Sequence, residues 1–169
     1  MPDKTRTLYA LTLKRPWPFA IFGLPPATAK RIENRTWKPP TFLIGQRLAI
    51  HAGKGVEHEA FEIPALARST ATALTDPHGA LAEGIVGTVR VRGWIDVSPN
   101  VQEGQLWGGE LTEAEAVAAL KHGWFGGPIG WVFEAPLALE RPIPCRGQQG
   151  VWPVPAAVFD QILEQGQLL

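Results

Sequence analysis

The sequence predicts an α+β fold: a small closed β-barrel with short helices between its strands. Three observations carry this. Short, loosely alternating apolar runs recur along the chain, and glycines interrupt them, as tightly curved sheets require. One helix carries a full capping signature, Thr112-x-x-Glu115. The strand–helix alternation and phosphate-binding turn of a dinucleotide fold are missing, because glycine-rich Gly123-Trp124-Phe125-Gly126-Gly127 follows a helix.

The elements follow in order. Thr7 to Lys14 alternates and stops before Arg15-Pro16, which reads as a first strand. Proline is tolerated in a first helical turn, so a short helix is expected over Pro16 to Phe22, stopped by Gly23-Leu24-Pro25-Pro26. Ile32 to Trp37 reads as extended. Gln46 to His51 reads as a strand followed by a loop, Ala52-Gly53-Lys54-Gly55. Val56 to Arg68 is helix-like but interrupted by Pro64, and Ser69 to Ala82 reads as a loop or weak helix. Gly84 to Val97 is the longest strand candidate, with Val89 and Val91 alternating against Thr88, Arg90 and Arg92. The capping box opens a helix over Glu113 to Lys121, with Gly123 beyond its end. Gly130 to Leu139 is another strand. Gly147 to Trp152 turns into a short last strand, and Pro155 to Gln165 is a C-terminal helix.

Length and composition set the outer limits. The 169 residues fit one domain, 1–169, with the motif-bearing region over about 7–154 and the last helix over about 155–165. No run approaches the ~18–20 apolar residues that span a bilayer. The first residues lack a signal peptide's apolar core. The single cysteine, Cys145, excludes an internal disulfide and a multi-cysteine zinc site. A cytoplasmic protein is expected. Neither a cofactor nor a metal is expected, since His51, Glu57 and His58 follow no standard zinc-ligand spacing. A monomer is the default.

The net charge of zero conceals an asymmetry. Residues 1–54 hold ten Lys/Arg against two Asp/Glu, and residues 55–169 hold six against fourteen. Such a balance fits a basic face toward an anionic partner, unless folding mixes the two halves.

The stretch Lys30-Arg31-Ile32-Glu33-Asn34-Arg35-Thr36-Trp37 concentrates the chemistry. A guanidinium binds phosphate or a base edge, and an indole stacks on a base. Glu33 and Arg35 are two apart and share a strand face; Lys30 joins them only if the backbone bends. Lys30 is a candidate to hold a phosphate or act as a base, and otherwise a solvated surface lysine. Glu33 is a candidate general base or base-edge acceptor, and otherwise an ion-pair partner of Lys30 or Arg35. Seven tryptophans against one tyrosine suggest that some line a surface. Trp17 and Trp37 are candidate stacking faces and Trp107 a candidate loop contact, while Trp131 and Trp152 are expected in the core. Lys54 between glycines is a candidate phosphate contact. His51 is a candidate proton carrier, or a satisfied strand-end histidine. Cys145 beside Arg146 is expected to be structural.

Several of these segments, taken together and in order, resemble the ASCH family (activating signal cointegrator homology). Lys14-Arg15-Pro16-Trp17 is similar to its R-Q-P-W opening, and Lys30-x-x-Glu33-x-Arg35 to its G-x-K-x-x-E-x-R signature. Gly45 to Ala52, Gly130-Trp131-Val132-Phe133-Glu134 and Cys145 to Trp152 resemble its later segments. The resemblance implies a PUA-like barrel with flanking short helices and a central cleft. It also implies a role with RNA or modified nucleobases. Taken with the residue readings above, the candidate ligand contacts are Arg15, Trp17, Lys30, Glu33, Arg35, Trp37, His51, Lys54 and Trp107. Some relatives hydrolyse the acyl amide of N4-acetylcytidine, and some have been proposed as ribonucleases. In that alternative Lys30 and Glu33 are the catalytic pair. The chain departs from the pattern in carrying Thr28 at the signature glycine, a longer span from Trp17 to Lys30, and Glu33 where the amidohydrolases hold a threonine nucleophile. The expectation is therefore a module binding RNA or a modified nucleotide, with DNA possible. The alternatives are a small hydrolase, or a domain docking an acidic protein.

Overall fold

The computed structural model describes residues 6–67, 79–102 and 105–166. Its seven strands are β1 (Tyr9–Arg15), β2 (Ile32–Arg35), β3 (Arg47–Val56), β4 (Gly84–Asp96), β5 (Trp107–Gly109), β6 (Ile129–Ile143) and β7 (Val151–Pro153). Helices lying wholly among the described residues include α1 (Trp17–Phe22), α2 (Glu113–Leu120) and α3 (Ala156–Glu164). The class is α+β with a mixed sheet and short helices. Hydrogen bonds join the strands in the order β2-β6-β4-β3-β1-β7, with β5 paired to β4. None of the helices among the described residues is long and apolar enough to cross a membrane.

The chain divides into two compact units. The first takes Met1–Ala29, Leu48–Val89 and Pro136–Leu169, and the second Lys30–Arg47 and Arg90–Ala135. In the first unit, β1 pairs in parallel with β3 (Ala10 beside Ala49, Leu11 beside Ile50) and antiparallel with β7 (Ala10 beside Trp152). Its core gathers Leu8, Ala10, Ala49, Ile85, Leu139, Ile143, Trp152, Val158 and Ile162, with α3 supplying the last two. The second unit pairs β2 antiparallel with β6 (Glu33 beside Trp131) and β4 with β5 (Ile95 beside Trp107). Its core holds Ile32, Ile95, Leu111, Ala116 and Ala119, where the small α2 residues let the helix approach closely.

Several expectations hold to within a residue or two. β1, α1, β4, α2 and α3 fall where the pattern placed them, and both halves of the Thr112/Glu115 capping box are made. Others need correction. Ala52 to Gly55 is not a loop: β3 runs on to Val56, because β1 continues alongside as far as Arg15. Gly53 and Gly55 serve packing there, since a Cβ on Gly53 would lie 2.9 Å from Thr12 Cγ2 and one on Gly55 3.4 Å from Lys14 Cγ. Of the expected 56–68 helix, the described residues hold a 3₁₀ segment, His58–Glu62, and helical residues over 64–67 that Pro64 opens. Most of the span 69–82 lies outside the described residues. β6 is longer than expected at both ends, and Ala135 interrupts it at a positive φ of 46°. Trp107 stands in a short strand, not a loop.

Candidate functional site

The candidate residues fall into both units, and each group has its own geometry. In the second unit the chain reaches β2 from Lys30, which precedes the strand and folds back over it. Lys30 Nζ donates to the Ile32 carbonyl and, at 2.9 Å, to Glu33 Oε1. Arg35 Nε donates to the other carboxylate oxygen at 3.1 Å. The long Lys30 side chain thus reaches the carboxylate that Arg35 also holds. The side chains of Lys30 and Glu33 are only 3% and 9% exposed, so Lys30 is not a solvated lysine. A buried ion pair survives desolvation only with such geometry and further hydrogen bonds, and the Ile32 carbonyl supplies one.

Arg35, 23% exposed at its side chain, carries this cluster toward solvent. Its guanidinium carbon lies 5.9 Å from the Trp37 ring centroid. Trp37 in turn packs edge-on against Trp131, with centroids 4.8 Å apart and an 86° interplanar angle, and its carbonyl accepts the Trp131 indole N–H at 2.8 Å. Fully buried Trp131 thus seats the surface tryptophan. The opposite face of β2 has a separate task. Asn34 Oδ1 accepts from the Gly126 and Gly127 amides at 2.9 and 3.3 Å, and Nδ2 donates to the Trp124 carbonyl at 2.9 Å. Trp107 is 38% exposed beside Ile95.

In the first unit Arg15 is anchored. Its guanidinium donates to the carbonyls of Leu81 and Lys54 at 2.8 and 2.7 Å and lies 3.3 Å from Glu83. It holds the backbone beside Lys54, whose own side chain is exposed on β3. Trp17 opens α1, and its indole Nε1 donates to Glu57 Oε2 at 2.5 Å. The Glu57 amide donates to the Arg15 carbonyl at 2.8 Å.

His51 is buried and fully engaged. Its Nε2 lies 2.7 Å from the Cys145 carbonyl, which can only accept, so Nε2 carries the proton. Its Nδ1 accepts from Thr12 Oγ1 at 3.2 Å, and Thr12 accepts the Trp152 indole N–H at 3.0 Å. Burial pushes the His51 pKa down, against weaker upward pulls from the Cys145 carbonyl and Glu83. This is the satisfied histidine, set within β3 and not at its end. Burial also pushes the Cys145 thiol up, opposite to what a nucleophile needs. Trp131 and Trp152 are core, as expected.

The sequence asymmetry of charge is partly cancelled within each unit. Lys30 and Arg35 share Glu33, Arg15 meets Glu83, and Lys38 lies 3.8 Å from Asp96. Asn34 and Glu57 escaped the sequence reading, because their partners are 90 and 40 residues away. Among the described residues no group of three His, Cys, Asp or Glu side chains is placed to hold a metal ion. No family model matches the chain, and no curated protein sequence does.

Proposed function

We propose that the protein is an ASCH-like, PUA-like module that binds RNA or a modified nucleotide, with Arg35 and Trp37 as the central contacts. One observation carries the reading: on β2 a carboxylate takes Lys30 on one oxygen and Arg35 on the other, and Arg35 lies beside an indole seated on a buried tryptophan. A fixed guanidinium next to a partly exposed aromatic suits a phosphate and a stacked base. Trp107 is a further contact in the second unit, and Trp17 and Lys54 are candidate contacts of the first unit, each unit being taken by itself. Arg15 serves the first-unit contacts by holding the Lys54 carbonyl, and His51 serves the fold.

Binding is favoured over hydrolysis because both Glu33 oxygens already accept hydrogen bonds from cations. A general base needs an oxygen within reach of its water. Fluorescence anisotropy with a labelled single-stranded oligoribonucleotide tests the reading. Arg35→Ala is expected to weaken binding and to lower the salt slope by about one counterion. Unchanged affinity and slope would remove Arg35 from the site. Release of cytidine from N4-acetylcytidine, above a Glu33→Ala control, would replace binding by hydrolysis.

A further inference from the structure

We propose that Glu57 is a positioning residue, which holds the Trp17 indole as a stacking face for a nucleobase; this rests on the nucleic-acid reading above. Three tryptophan N–H groups, those of Trp17, Trp131 and Trp152, divide by environment. Trp131 and Trp152 are buried, and their N–H groups go to a neutral carbonyl and a neutral hydroxyl, as desolvation requires. Trp17 is partly exposed, where water would satisfy its N–H. It nevertheless donates to a carboxylate at 2.5 Å. A charged acceptor is stronger and more directional than satisfaction alone demands.

Glu57 is itself tied down. Its amide bonds the Arg15 carbonyl, two residues before Trp17, and Arg15 pairs with Val56 across β1 and β3. Backbone and carboxylate of one residue thus grip the Arg15-Pro16-Trp17 corner at two points. The indole is left with its edge fixed and its rotation about the Cβ–Cγ bond restricted. A preset ring loses less rotamer freedom when a base stacks on it, so affinity rises without a new ligand contact.

The test is a double-mutant cycle on oligoribonucleotide affinity, with Trp17→Ala, Glu57→Ala, Glu57→Gln and the Trp17→Ala/Glu57→Ala pair. Trp17→Ala is expected to weaken binding roughly 5- to 150-fold, the span of one stacked base. Glu57→Ala is expected to weaken it several-fold, Glu57→Gln to restore most of the loss, and Glu57→Ala to add nothing once Trp17 is gone. Full affinity in Glu57→Ala beside a weakened Trp17→Ala overturns the role and leaves the binding reading intact. So does a Glu57→Ala loss that persists in the Trp17→Ala background. No binding by the unmutated protein overturns both. The Trp17 indole N–H resonance, assigned through Trp17→Phe, checks the grip without ligand: it is expected to move and exchange faster in Glu57→Ala, and an unmoved resonance refutes it.

Discussion

Gly147 lies directly against His51: a Cβ on this glycine would sit 2.4 Å from the imidazole Cε1 and 2.6 Å from Nδ1. The ring cannot yield, because the Cys145 carbonyl and the Thr12 hydroxyl fix both nitrogens and Trp152 packs edge-on against it at 5.5 Å. Gly147→Ala is therefore expected to destabilise the protein by about 1–3 kcal/mol, the usual range for overpacking. Urea unfolding checks this, and a midpoint equal to that of the unmutated chain would show that the segment gives way freely.

The same histidine sets a pH dependence. Burial lowers the His51 pKa below its ordinary 6.5, and burial with nearby Arg31 and Lys30 lowers that of His122. Below 6.5 the unfolded chain takes up protons that the folded chain refuses, so stability rises with pH across that window. Thermal midpoints are expected to be highest above 6.5 and to fall as pH drops toward the lower folded values. His51→Gln is expected to flatten this decline; an equally steep decline would assign it elsewhere.

The Lys30–Glu33 pair makes a prediction about which change does the harm. Removing Lys30 alone leaves a carboxylate in a site only 9% exposed, held by Arg35 on its other oxygen. Lys30→Met is expected to destabilise the protein by less than the ~3–5 kcal/mol of a fully unpaired buried charge. Lys30→Met with Glu33→Leu is expected to cost less than Lys30→Met alone, since the buried carboxylate is then removed together with one of its two cations. A double variant less stable than the single, by chemical denaturation, would refute the buried pairing as described. Arg35, at the outer end, is the cleaner probe of binding.

Helix α2 hangs on its first turn. The Thr112 hydroxyl accepts the Glu115 amide at 3.2 Å, and Glu115 returns a bond to the Thr112 amide at 3.0 Å. Glu115 also takes both of its 2.8 Å hydrogen bonds from Arg92 Nη2, and that contact, ahead of the capping bonds, lowers its pKa from 4.5 to about 2. Thr112→Ala is expected to cost about 1 kcal/mol and Thr112→Ser little. The Glu115 contribution is present above 4.5 and lost as pH falls through about 2. A Glu115 carboxyl that titrates near 4.5 by carbon-detected NMR would contradict the pairing.

Local chemistry was the legible part. The capping box, the proline that opens α1 and the alternation of β4 lie within a few residues of one another, so their consequences show in the string. Three kinds of feature did not show. Lys30 carries no mark of burial; the Ile32 carbonyl and Glu33 create its niche only once the chain folds. Gly53 and Gly55 read as loop punctuation, yet they make room for Thr12 and Lys14 across a strand pair whose register no local rule supplies. Asn34 and Glu57 act on partners brought near by the fold alone.

The pairing of β1 with β7 has a consequence for synthesis. Thr12 and Trp152, joined by a hydrogen bond, are 140 residues apart. One flank of β1 can be covered by β3 soon after it is made, but the other waits for residues some 140 positions further along the chain. At ribosomal speeds of about 5–20 residues per second that wait is on the order of ten seconds. Through it, an apolar strand presents bare amides and carbonyls to the cell. Fast translation of that span is expected to favour soluble yield.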